Sequence, residues 1–222
     1  PLFAASVPAT EHQIMQLGIN ESSERDTILR LIKQYPTGVM SVVCDTEDYW
    51  NTLTNILPSL KEEILARTPN SLGLAKFVVR PDSGNPVDVI CGKFPMKGDG
   101  NPYLSAEDKG SIEILWDTFG GTINSKGYKV LNPRVGLIYG DSITPERAYE
   151  ICKRLEAKGF ASSNVVLGIG SYAYNYHTRD TLGMAIKCTA AWDDKGNLIE
   201  TQKVVKTDSG KKSAKGLLHV SS

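Results

Sequence analysis

The chain has 222 residues, of which 41% are hydrophobic and 23% charged, the make-up of an ordinary soluble globular domain. Lysine plus arginine and aspartate plus glutamate each total 25, so the formal net charge is zero. That argues against a general nucleic-acid binder, which needs a basic excess. No apolar run reaches bilayer length, and the opening stretch lacks both the basic and the long apolar parts of a signal peptide. The four cysteines (Cys44, Cys91, Cys152, Cys188) are widely spaced with no CxxC pair. They read as small buried hydrophobes of a reducing, cytoplasmic compartment rather than a disulfide or zinc framework. The first residue is Pro1, not Met, so the chain reads as the continuation of a longer polypeptide.

In chain order, residues 22–34 place Ile28, Leu31 and Ile32 on one helical face. Residues 38–44 form an apolar, β-branched run that ends at Asp45, the pattern of a buried parallel strand. A second helix is expected over 47–66, carrying Leu53, Leu57, Leu60 and Ile64, with Pro58 breaking or kinking it. Residues 75–79 are the second strand, ending at Arg80-Pro81-Asp82, and residues 93–104 a loop dense in Gly and Pro. A helix over 105–118 opens with a serine cap and early acids. The third strand, 135–139, ends at Gly140-Asp141. Thr144 and Pro145 then open a helix over 145–158 that stops at Gly159. The fourth strand, 164–167, runs into Gly168-Ile169-Gly170. Strands alternating with helices predict an α/β fold with a parallel sheet. Beyond residue 183, strands over 184–192 and 198–206 flank a turn at 193–197, which predicts an antiparallel hairpin. The chain therefore divides into an α/β unit, 1–183, and a strand, hairpin and basic-tail segment, 184–222.

Ligands of parallel α/β folds bind beyond the C-terminal ends of the strands. All four strand ends carry carboxylates, an arginine or glycines: Asp45; Arg80 with Asp82; Gly140 with Asp141; Gly168 with Gly170. In Arg80-Pro81-Asp82-Ser83-Gly84-Asn85-Pro86, the guanidinium fork suits phosphate oxygens, and Asp82 suits ribose hydroxyls or a magnesium shell. Ser83 and Gly84 open a turn whose amides could face an anion, although these residues would make a turn in any protein. The glycines before Ser171 let backbone approach a phosphate, and Arg179 lies within reach as a second phosphate ligand; a plain strand-to-loop turn is the alternative. His12 precedes a helical stretch and suits a general acid/base, a phosphate ligand, a phosphoryl acceptor or a merely structural imidazole. Lys211-Lys212-Ser213-Ala214-Lys215 is either a solvated loop or a polyphosphate clamp. No metal ligand set is legible.

The segments ending at His12, Asp45, Arg80 to Pro86, Gly140-Asp141 and Thr178-Arg179-Asp180 resemble, in order and spacing, the second half of the nicotinamide phosphoribosyltransferases. Residues 125–131 and 212–216 resemble that family too. The resemblance implies part of an irregular (β/α) barrel of the type II phosphoribosyltransferase kind. It implies transfer of phosphoribosyl from phosphoribosyl pyrophosphate to nicotinamide in NAD salvage, with Mg2+ and with ATP as a coupled activator. His12 resembles the histidine that contacts pyrophosphate and is phosphorylated as ATP is hydrolysed, and Asp45 the carboxylate that orients it. Arg80 would bind pyrophosphate and nucleotide, Asp82 the ribose hydroxyls, and Gly140 and Asp141 would line the ribose and phosphate pocket. Ser171, where the family has glycine, and Arg179 would meet the nucleotide phosphate. The groups that read the base belong to an N-terminal half outside these residues, with one aromatic from the partner of a homodimer. The chain by itself is expected to catalyse little. Nicotinate phosphoribosyltransferase and a non-catalytic phosphate-binding module are the alternatives.

Overall fold

The computed structural model of the protein describes residues 7–93, 105–168, 177, 180–202 and 213–219. Helices α1 (His12–Glu21) and α2 (Glu24–Gln34) lead into strand β1 (Gly38–Val43). A segmented helix, α3, follows as Tyr49–Asn51, Thr52–Ile56, Leu57–Ser59 and Lys61–Leu65. Strand β2 (Ala75–Arg80) and helices α4 (Pro86–Cys91), α5 (Ala106–Lys109) and α6 (Ser111–Phe119) come next. The short strands β3 (Gly121–Ile123) and β4 (Lys129–Leu131) precede β5 (Val135–Tyr139), α7 (Pro145–Ala157) and β6 (Val165–Leu167). Strands β7 (Ala190–Trp192) and β8 (Leu198–Glu200) are the last of these elements.

The main sheet is parallel, in the order β1-β2-β5-β6. Each crossover moves to the next position and the order never reverses, so the C-terminal ends form one row. The apolar runs read as buried strands are buried: Met40, Val42, Phe77, Val79, Leu137 and Tyr139 have almost no exposed surface. Ile28 of α2, Leu53 and Leu57 of α3, Ile90 of α4, Leu115 of α6 and Ile151 of α7 share one continuous core with them. Burying each such side chain contributes about 1.5–3 kcal/mol. β6 is different, since Val166 is 58% exposed at the outer edge of the sheet.

Local departures from the expected elements have visible causes. The helix over 47–66 widens into a π turn at Thr52–Ile56, which ends two residues before Pro58, where a proline lacks the amide hydrogen of a regular turn. Leu53, Leu57, Leu60 and Ile64 stay buried, so the apolar stripe survives the break. The helix expected over 105–118 is two helices, split at Gly110, whose φ is 83°. A Cβ there would lie 2.2 Å from the Gly92 nitrogen, so backbone meets backbone at the end of α4. The β3–β4 hairpin was not expected. Its turn is built by Asn124, whose side chain accepts from the backbone N–H groups of Lys126 and Tyr128.

The C-terminal hairpin forms as expected but is shorter, pairing Ala190–Trp192 with Leu198–Glu200. Residues 184–187 are exposed and outside it, and 203–206 lie outside the described residues. Asp193 organises the turn by accepting from the backbone N–H groups of Lys195 and Asn197. The cysteines are free thiols, and Cys44 and Cys91 are buried, with burial pushing Cys91 up to about 12. Cys152, expected inside, is exposed on α7.

Candidate active site

The segment before α1 lies along the free edge of β1. Ser41 N–H donates to Pro8 O at 2.9 Å, Thr10 N–H donates to Ser41 O at 3.0 Å, and Ala9 bridges Ser41 in parallel. The Thr10 hydroxyl accepts from Val43 N–H at 2.9 Å. This extended stretch thus adds to the sheet, and His12, the first residue of α1, stands at its C-terminal end. Every described candidate residue obeys the same rule, because backbone amides and side chains at strand ends are the groups left unpaired by the sheet.

His12 Nε2 lies 3.8 Å from Asp45 Oδ1 and 3.6 Å from Asp82 Oδ2. The imidazole is thereby flanked by two carboxylates of unlike character: the Asp45 side chain is 2% exposed and that of Asp82 39%. Asp45 Oδ2 accepts a hydrogen bond from the Ser83 hydroxyl at 2.6 Å. Arg80 Nη2 donates to Thr10 O at 2.9 Å and pairs with Glu11 Oε1 at 3.1 Å. Its Nε is buried and has no hydrogen-bond partner among the described residues. Glu11 is largely exposed, so the guanidinium is held from one side by a solvated acid.

The Arg80 to Pro86 segment uses nearly every residue. Asn85 caps α4 by accepting from Val87 N–H at 3.0 Å, and Pro86 begins that helix. The Tyr139 hydroxyl, from the end of β5, donates to Gly84 O at 2.9 Å. Burial, together with the nearby carboxylates of Asp141, Asp45 and Asp82, holds that phenol well above its usual range, so it remains a donor. Those three aspartates follow three different strands, β5, β1 and β2. Gly140 and Asp141 are exposed beside Tyr139. A Cβ on Gly168 would sit 2.7 Å from Gly140 Cα, so the ends of β5 and β6 approach closely only because residue 168 is glycine.

The structure therefore gathers His12, Asp45 and Asp82 directly, sets Arg80 against Thr10 and Glu11, and brings Asp141 to the same end of the sheet. Ser171 and Arg179 lie outside the described residues.

The sequence profile of the nicotinate phosphoribosyltransferase (NAPRTase) family matches residues 2–221. The chain belongs to that family.

Similar curated proteins are the nicotinamide phosphoribosyltransferases of Acinetobacter baylyi, Mycoplasma pneumoniae and Xanthomonas campestris pv. campestris. The first is 55% identical over 99% of this chain and 42% of its own length. The second is 42% identical over 96% of this chain and 44% of its own length, and the third 34% identical over 98% and 42%. The chain thus spans less than half the length of these relatives.

Two groups at this family site escaped the sequence. Ser83 was read for its backbone amide, yet its hydroxyl holds Asp45. Tyr139 was read as a strand residue, yet its hydroxyl anchors the Gly84 turn. A third, Glu24, lies just behind the site, 4% exposed, and accepts from the Thr52 hydroxyl at 2.9 Å. Burial pushes its carboxyl up to about 7; the hydrogen bond from Thr52 opposes this, and the charges of Glu47, Asp45 and Asp48 add to it. Among the described residues no group of three or more His, Cys, Asp or Glu side chains is placed to hold a metal ion. No described helix is long and apolar enough to cross a membrane.

Proposed function

We propose that this chain is the phosphate- and ribose-handling part of a nicotinamide phosphoribosyltransferase, which joins nicotinamide to phosphoribosyl pyrophosphate and releases nicotinamide mononucleotide and pyrophosphate. The observation that carries this reading is His12 set between Asp45 and Asp82, with Arg80 beside it, in a chain whose similar relatives bear that name.

The pyridine nitrogen attacks C1 of the ribose as pyrophosphate leaves. Positive charge develops on the sugar and negative charge on the leaving group, so catalysis is electrostatic preorganisation rather than covalent chemistry at carbon. Asp82, part-exposed, accepts from the ribose hydroxyls, and its charge and that of Asp141 favour the cationic sugar. Arg80 takes the pyrophosphate. Its Nη2 is paired with the solvated Glu11, a contact that phosphate oxygens can replace. His12 would meet the pyrophosphate and accept the γ-phosphoryl group of ATP on a ring nitrogen as ADP leaves, with Asp45 orienting the ring. Gly140 lines the ribose pocket without a side chain, and Ser171 and Arg179 serve the nucleotide phosphate. Magnesium typically binds through one or two carboxylates plus substrate phosphates. The part-exposed Asp82 and the exposed Asp141 fit that habit better than a dedicated cage would, and the ion, when bound, would neutralise pyrophosphate charge.

The sequential order β1-β2-β5-β6, extended at one edge by Pro8 to Thr10 and open at β6, supports part of a (β/α) barrel. The rest of the barrel, the base pocket and a homodimeric partner belong to a further segment and a second copy, in the cytoplasm. The whole enzyme is this chain with that segment.

The test is the whole enzyme with phosphoribosyl pyrophosphate, Mg2+ and either base, the product being read by chromatography. Nicotinamide is expected to yield mononucleotide. Consumption of nicotinate alone would assign the other base, and consumption of neither, with pyrophosphate still bound, would leave a phosphate-binding module. His12→Ala is expected to lose the ATP-stimulated part of the rate while keeping a basal rate; full ATP coupling in that variant contradicts the role given to His12.

A further inference from the structure

The buried Asp45 carboxylate has two oxygens with different surroundings. Oδ1 faces His12 Nε2 at 3.8 Å and accepts no hydrogen bond among the described residues. Oδ2 accepts from the Ser83 hydroxyl at 2.6 Å, at the short end of the range for hydroxyl hydrogen bonds. A carboxylate stripped of water needs such donors, and a side chain fixed by one cannot turn freely about its last bond.

Ser83 is itself well held. Its neighbour Gly84 accepts from Tyr139 at 2.9 Å, and Asn85 and Pro86 begin α4, so the turn is clamped by β5 on one side and a helix start on the other. Tyr139 is fully buried, and its raised phenol stays a donor at any ordinary pH. A chain of contacts therefore runs from the end of β5 through the Gly84 turn and Ser83 to Asp45 and His12. It joins three strand ends to the first residue of α1.

We propose that Ser83 is a positioning residue for this reaction: its hydroxyl locks Asp45 in the rotamer that turns Oδ1 toward His12, and Tyr139 locks the turn that presents Ser83. This rests on the reading of His12 and Asp45 as the phosphate-handling pair. Ser83 acts through Asp45 and touches no reacting atom. Removing it affects the rate of turnover more than the binding of either substrate, because the phosphate and ribose contacts of Arg80 and Asp82 remain.

The experiment compares Ser83→Ala, Ser83→Cys and Ser83→Thr in the whole enzyme, with kcat, both KM values, ATP coupling and thermal midpoint measured for each. Losses of the kind seen for outer-layer partners, about 10–100-fold, are expected in kcat for alanine and cysteine, with KM for phosphoribosyl pyrophosphate changed less than about threefold and ATP coupling weakened. Threonine keeps the hydroxyl, and Ser83 borders a cavity of about 190 Å3 that has room for a methyl group, so it is expected to restore kcat to within about threefold. Cysteine has the shape of serine with a somewhat larger atom and is a weak donor, and it answers for alanine if alanine fails to fold. Wild-type kcat in a folded alanine or cysteine variant overturns the proposal, as does a threonine variant as slow as a folded alanine or cysteine variant. A purely structural role would lower the thermal midpoint and the active fraction, while kcat per active molecule and ATP coupling stayed at the values of the unaltered enzyme. Absence of mononucleotide from the unaltered enzyme would instead overturn the functional reading, so the two failures are distinguishable.

Discussion

Glu24 shows how a single residue behind the site ties folding to pH. Its carboxyl titrates near 4.5 when unfolded and is pushed up to about 7 when folded, chiefly by burial. Between those values the folded state keeps a proton that the unfolded state has lost, so stability falls as pH rises through that window. At 1.36 kcal/mol per pH unit, the loss is about 3 kcal/mol by pH 7 and above. Glu24→Gln is expected to flatten this dependence, seen as similar denaturation midpoints at pH 5 and pH 8; an unchanged slope would place the effect on another group. Asp45, also buried, is held by a short serine bond and faces a histidine. One acid opens α2 and the other follows β1, and their partners set different tasks.

At the scale of elements, the site depends on junctions that hold strand ends and helix starts in register. The α4–α5–α6 corner packs backbone on backbone at Gly92 and Gly110, and α4 carries the turn that presents Ser83. Gly110→Ala places a Cβ 2.2 Å from the Gly92 nitrogen at a positive φ of 83°. A cost of about 1–3 kcal/mol is expected from overpacking, with added backbone strain. Thermal unfolding checks this, and an unchanged midpoint would mean that the corner opens at no cost. Buried strands were legible because each is a run of apolar, β-branched residues: β5 matches its expected span, 135–139, and β1 and β2 differ by one residue at the C-terminal end. The β3–β4 hairpin was not legible, since its strands have three residues each and Ile123 is 59% exposed, which leaves no apolar pattern to read. The turn signal at Asn124 and Gly127 was present but had no recognisable strands to join.

At the scale of the whole molecule, no strand pairs beyond β6 among the described residues, while the other edge of the sheet is lined by Pro8 to Thr10. Unpaired edges with apolar side chains favour association. Under the proposed function, this chain produced by itself is expected to bind pyrophosphate weakly and to form mononucleotide at under about one hundredth of the whole enzyme's rate, because orientation of two substrates supplies a large part of the acceleration. Supplying the base-pocket segment in trans is expected to restore activity. A fully active isolated chain would show that the base is read within these residues.

The amino-acid sequence by itself determined the alternation of buried strands with amphipathic helices, the polar character of each strand end and the family, since these are written in local patterns and motifs. It also singled out the Arg80 to Pro86 turn, because proline, glycine and asparagine at those spacings have few conformations open to them. Only the tertiary structure decided which strand ends meet, that His12 stands between Asp45 and Asp82, and that the Ser83 hydroxyl reaches Asp45 across 38 residues of sequence. Those relations depend on distances between separate loops, and a hydrogen bond's energy rises or vanishes within a few tenths of an ångström. No local pattern carries that information; the packed core beneath the strand ends does.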